Sequence, residues 1–329
     1  MITRKAIPGL LLSSMLAYLC VFIPKISLLS QFHINSLIIA IVLGMVIKNI
    51  FPLPSYFEPG IRFAFKQVLR LAIVLLGFKL SLGDIGQIGG KGIFLVTVVT
   101  GGTLIFTGWL GKKIGLERSL AFLIGAGSSI CGASAIAAVA PVIEARDQDI
   151  AFAVATVTIF GTLAMFLYPV LYHLLHLPDV FYAVWAGSSI HEVAQVVAAG
   201  FAIGDQVGEY ATVVKLTRVL LVIPTIFIFG FQDAKKDSDK LFNKGTFPLF
   251  VFGFCAVVLI NSFSWIPRDM VETLISLDNI LMTVAMVGLG LGADFNKLKV
   301  VGLKPLYAGL GISLFISLFS FVLTGLLYA

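Results

Sequence analysis

Charge is what this chain has least of: Asp, Glu, Lys and Arg make up 12% of its 329 residues, about half the share of an ordinary soluble domain. Histidine is scarce too, with four, and cysteine scarcer, with three. Cys20, Cys131 and Cys255 each lie in an apolar stretch, so they form no disulfide framework and fit small packed side chains. No second His or Cys stands at ligand spacing from His191, which argues against a metal site there. A nucleotide fingerprint, a Gly-rich phosphate loop with Lys and a GxSxG nucleophile context are all missing, and no Ser-His-Asp set sits at interpretable positions. No catalytic residue and no cofactor are therefore expected. The formal charge of +6 would suggest nucleic acid only if the cations formed one stripe on a soluble face. Most of them fall in short loops between apolar runs.

Apolar residues supply 59% of the sequence, and its mean hydropathy is +1.03. Runs such as 92–110, 149–171 and 302–327 are long enough to cross a hydrocarbon core of about 30 Å as helices. Short alternating segments, the mark of a closed barrel, are absent. The chain is expected to be an all-α membrane protein of about eleven transmembrane helices, at 6–24, 34–51, 61–82, 92–110, 118–141, 149–171, 180–202, 210–231, 247–266, 271–292 and 302–327. The first resembles a signal peptide in having Arg4 and Lys5 before an apolar run. Its apolar part is longer than a usual h-region, and no small-x-small site follows, so it reads as a membrane helix.

Of the 23 Lys and Arg residues, fifteen then fall on the N-terminal side, four on the other, and Arg70, Lys79, Lys215 and Arg218 inside spans. By the positive-inside rule the N-terminus is cytoplasmic and the C-terminus exterior. The one clear soluble linker, FQDAKKDSDKLFNKG at 231–245, is too short for a domain, so 1–329 is expected to be a single transmembrane domain.

Two polar strings interrupt the greasiest segments. Ala-Gly-Ser-Ser-Ile occurs at 126–130 and again at 186–190. The spans assigned above make the two copies parallel, a direct duplication, unless one copy is a hairpin that enters and leaves on the same side. GFKLSLGDI at 77–85 also resembles GLGLGADF at 288–295, ending helices that run in opposite directions, as inverted repeats of secondary transporters do.

Gly125, Gly127, Ser128, Ser129, Gly132 and Ser134 weaken the helix that carries them, since Gly costs helix stability and Ser competes for backbone bonds. A break there would expose a half-helix N-terminus that attracts an anion; tight small-residue packing is the competing reading. His191 and Glu192 follow the second copy at mid-span, with Gln195 one turn beyond. A charge at that depth needs a cavity or a partner, and this pair could carry a coupling proton. Lys215 and Arg218 share a face of the next helix. With Glu192 as the clearest membrane-depth anion, the interior reads as net positive and suited to an anionic cargo, although Arg218 could simply pair with Glu192.

SSICGASAIAA (128–138), IFGTLAMFLYP (159–169), HEVAQVVAAG (191–200) and VVKLTRVLLVIP (213–224) together resemble the YeiH-like family of bacterial inner-membrane proteins, often labelled sulfate exporters. The resemblance implies a relation to the sodium/proton antiporter and bile-acid symporter group, with inverted repeats, helices broken near the midplane, and scaffold plus core domains. It implies an alternating-access carrier of a small anion such as sulfate, sulfite or a sulfonate. Substrate contacts are then expected from Ser128, Ser129, Cys131, Gly132, Ser134, Ser188, Ser189, Gln195, Lys215 and Arg218, and proton coupling from His191 and Glu192. A sodium/proton antiporter and an uncoupled channel or sensor are the rival readings. The expected partners are the anion and the lipid bilayer; a homodimer is compatible with the sequence, which leaves oligomeric state open.

Overall fold

The computed structural model describes residues 4–22, 36–51, 53–222, 224–225, 249–293 and 303–328, and all regular structure among them is helical. The linker at 231–245 and the end of the GLGLGADF string lie outside these residues. The chain opens with α1 (Ile7–Phe22), α2 (Ser36–Ile50) and α3 (Glu58–Phe63), which continues through a π turn at Ala64–Val68 into α4 (Leu69–Leu76). After a 3₁₀ turn at Gly77–Lys79 come α5 (Leu82–Lys113), α6 (Arg118–Ala126), a second π turn at Gly127–Cys131, α7 (Ala133–Val139) and α8 (Asp147–Leu175). Then follow α9 (Asp179–Ser189), α10 (Val193–Phe201), α11 (Asp205–Leu220), α12 (Leu249–Ser262), α13 (Arg268–Gly292) and α14 (Leu303–Tyr328). Four stretches, Gly89–Lys113, Gln148–Leu175, Arg268–Gly292 and Leu303–Tyr328, are long and apolar enough to cross a membrane. The chain divides into two compact units, Met1–Ile85 with Leu249–Asn296, and Gly86–Pro248 with Lys297–Ala329.

In the first unit, helices approach closely through glycine. A Cβ on Gly290 of α13 would lie 2.2 Å from the Ile41 carbonyl oxygen of α2, so only a bare Cα allows this crossing. Asn49, at the end of α2, donates to the Ala293 carbonyl just past α13 (2.8 Å) and so satisfies one of that helix's orphan acceptors.

The second unit holds both copies of the repeated pentapeptide, and neither sits in a single crossing. Arg146, just before α8, pairs with Glu117, just before α6, so α6 and α7 leave from and return to one end. Tyr182 of α9 donates to the Ala199 carbonyl of α10 at 3.0 Å. In a continuous helix those residues would stand about 25 Å apart. Segments 118–141 and 180–202, expected as crossings five and seven, are each a helix–break–helix hairpin.

The hairpins enter from opposite ends. The 29-residue α8 starts beside Arg146 and finishes where Tyr172 donates to Asp179, at the start of α9 (2.6 Å). Along the same direction α14 runs from Lys304, which borders a cavity with Glu117 and Arg146, to Leu327, whose carbonyl accepts from Lys91 (3.1 Å). On α14, Leu310, Leu314, Leu318, Val322 and Leu326 form an exposed apolar stripe, while Ala308, Ile312, Ile316, Ser320 and Thr324 are buried. Such a helix, apolar on both faces, suits lipid on one side and protein on the other.

Candidate functional site

The two breaks differ in backbone geometry. In the first, Gly132 holds φ +72° and ψ −136°, a conformation that L side chains adopt only under strain. In the second, Ile190 and Glu192 are extended, with ψ 144° and 150°. Each break ends a helix whose last carbonyls lose their intrahelical donors and carry the negative end of its dipole. At membrane depth those acceptors need partners, because each one left bare costs several kcal/mol.

α11 supplies the donors. Lys215 Nζ donates to the carbonyls of Ile130 (2.9 Å), Ile190 (2.8 Å) and His191 (2.5 Å). Ile130 and Ile190 are equivalent residues of the two pentapeptides, so one ammonium joins matching points on both tips. Arg218 Nε and Nη2 donate to the carbonyls of Ser129 and Ser128, and Nη1 to that of Ile190 (3.1 Å). Both cations are wholly buried. The alternative pairing of Arg218 with Glu192 is not among these contacts: the bonds of Arg218 go to main chain.

Glu192 is half-buried and caps α10 in a capping box. Its carboxylate accepts from the backbone N–H of Gln195, while Gln195 Oε1 accepts from the Glu192 N–H (3.0 Å). Thr158 of α8 also donates to Glu192 Oε1 (3.1 Å). Gln195 Nε2 donates to the Thr158 carbonyl and to Thr162 Oγ1, both at 3.3 Å. This fit requires Gly161, where a Cβ would fall 2.0 Å from Gln195 Oε1.

Around these charges lies a set of buried polar atoms with no hydrogen-bond partner: Ser128 Oγ, Ser129 Oγ and His191 Nδ1. The other imidazole nitrogen of His191 shares a hydrogen bond with Ser313 of α14 (2.9 Å). Ser188 and Ser189 are committed elsewhere. The first bonds back to the Val184 carbonyl and to Ser320, and the second accepts from Tyr168 (3.0 Å), whose ring stacks on Trp185 at 3.9 Å. Cys131 is buried at the tip, whereas Ser134 is exposed on α7 and stands apart from the buried cluster.

Two membrane cations that the sequence placed in the interior are differently disposed in the first unit. Arg70 is exposed, with its guanidinium 5.8 Å from the Phe250 ring centre. Lys79 Nζ lies 3.5 Å from the Asp278 carboxylate and donates to Asn279 Oδ1 (2.8 Å). Asp278 is fully buried ten residues along α13, and neither of its oxygens has a hydrogen-bond donor. Sequence reasoning missed this carboxylate and named Glu192 as the clearest deep anion. The signal was present in ISLDNILMT, a charge at the start of the apolar run that fills the rest of the helix. No group of three or more His, Cys, Asp and Glu suited to a metal ion occurs among the described residues.

Comparison with known proteins gives the family. Residues 8–309 match the family described as conserved hypothetical protein 698. The chain is 39% identical over 316 residues to the UPF0324 inner membrane protein YeiH of Salmonella typhimurium, covering 93% of this chain and 90% of that one. Identity with the UPF0324 inner membrane protein YeiH of Escherichia coli K12 is 38%, over 92% of this chain and 89% of the relative. A UPF0324 membrane protein of Haemophilus influenzae is 36% identical over 97% of both. No solved structure matches. The chain belongs to the UPF0324 family and is a membrane protein like its relatives.

Proposed function

We propose that this UPF0324 protein is a secondary carrier for a small anion, of the size and charge of sulfate, sulfite or a sulfonate, working by alternating access. One observation carries the reading: two hairpin tips meet around two buried cations, Lys215 and Arg218, with one nearby carboxylate, Glu192, and unpartnered hydroxyls at Ser128 and Ser129. The surplus positive charge and the free donors favour an anion. A sodium ion would need the carbonyls of Ile130, Ile190 and His191, which Lys215 already occupies. In this reading the second unit is the core and the first the scaffold, and the chain moves its cargo without chemical change.

Proton coupling is assigned to Glu192 and His191. Glu192 is half-buried, so a proton can reach it, and it abuts Gly132 of the opposite hairpin, where a Cβ would meet its Oε1 at 3.0 Å. Thermal denaturation with sulfate, sulfite, a sulfonate or sodium at two pH values tests the cargo, since only a ligand of the native state raises the melting point. Stabilisation by sodium and by none of the anions would refute the anion reading. For coupling, Glu192→Gln in proteoliposomes should flatten the dependence of anion exchange on pH between about 5.5 and 8; an unchanged profile would remove Glu192 from that role.

The orientation rests on charge. In the second unit Lys112, Lys113, Arg118, Arg146 and Lys304 lie towards the end where α6 begins, and Lys91 lies towards the other. The hairpin therefore moves Arg146, which the sequence had placed outside, to the basic end. That end is taken as cytoplasmic.

A further inference from the structure

We infer that Lys215 Nζ fills a monovalent-cation site, a cage of three main-chain oxygens built jointly by both hairpin tips, in which a tethered ammonium takes the place of a free ion. The inference concerns the tips of the proposed carrier, but it rests on their carbonyl geometry alone and stands or falls separately from the cargo.

Three features support it. The oxygens of Ile130, Ile190 and His191 stand 2.9, 2.8 and 2.5 Å from one nitrogen, and the residue that carries it is wholly buried. Unwound backbone whose carbonyls replace a hydration shell is how membrane proteins hold potassium and sodium. The three oxygens come from segments sixty residues apart, Ile130 from one pentapeptide, and Ile190 of the other with the His191 that follows it. Neither tip forms the cage alone, so whatever sits there joins them.

A lysine ammonium is a compact point charge with three donors, and here each donor meets one oxygen. Arg218 differs: its planar fork spreads its donors over the carbonyls of Ser128, Ser129 and Ile190 and cannot enter a three-oxygen cage as a point charge. The consequence is specific. With Lys215 present the cage is closed to ions from solution, and with its side chain cut back the cage becomes a site for potassium, sodium or ammonium.

The test is thermal denaturation of the purified full-length protein in choline chloride, potassium chloride, sodium chloride and ammonium chloride at equal ionic strength. Wild type should melt at one temperature in all four. Lys215→Ala and Lys215→Ser should melt lower in choline and regain several degrees in at least one of the small cations, as a ligand well above its dissociation constant provides. The same melting point for the variants in all four salts overturns the inference, as does an equal cation-specific rise in wild type. If the variants cannot be isolated in choline, purification in potassium throughout decides the matter: recovery of folded protein supports the cage, and failure in every salt overturns it. Loss of the proposed anion transport would not imitate this result, because the readout contains no cargo.

Discussion

Gly132 and Gly161 are pressed by polar side chains from the same network, and each is fixed for a different reason. Gly132 combines positive φ with a Cβ position 2.3 Å from Glu192 Cγ, so Gly132→Ala meets both backbone strain and a clash. We expect it to lower stability by about 2 kcal/mol or more in denaturant titration. Gly161→Ala meets the clash alone and should cost about 1–3 kcal/mol. In the first unit, Lys79→Met should destabilise by leaving Asp278 buried without its cation, and adding Asp278→Asn should restore much of the loss. A double-mutant cycle should give a coupling of about 1–3 kcal/mol. Asp278 escaped the sequence reading because Arg268, Asp269 and Glu272 precede it, so a further polar pair looks like the membrane edge. Its burial depends on Lys79, about two hundred residues away, and no local pattern reports that contact.

At the scale of the element, the repeated pentapeptide and its glycines and serines marked where helices break, and both breaks fall there. Reversal of the chain at those breaks was not legible. A hairpin of two short helices uses as many residues as one crossing, so hydropathy is the same for both. What separates them are long-range contacts, Glu117 with Arg146 and Tyr182 with Ala199, whose residue types alone announce nothing. A labelling experiment checks the hairpin directly. In a protein with Cys20, Cys131 and Cys255 replaced by Ser, Lys113→Cys and Pro141→Cys should react with a membrane-impermeant maleimide from the same face. A crossing at 118–141 would put them on opposite faces.

For the whole molecule, composition alone settled the solvent: so apolar a chain belongs in lipid, and its relatives carry inner membrane names. The basic loops then predict the side. In intact cells Lys91→Cys should be labelled from outside, whereas Lys113→Cys should react only after the membrane is opened. Helix number was harder to read than class, since two of the eleven expected crossings turn back. Each turn changes the side assigned to the segment that follows it, as at Arg146.

Lys215 and Arg218 sit one helical turn apart on α11, yet their bonds run to both tips. Pulling either hairpin away from α11 would strand a charge in oil, a penalty of several kcal/mol. In the carrier proposed above, the cheaper journey keeps the pair riveted to its post and shifts both tips with α11 as one piece of freight, so that gates open around the rivet and never through it.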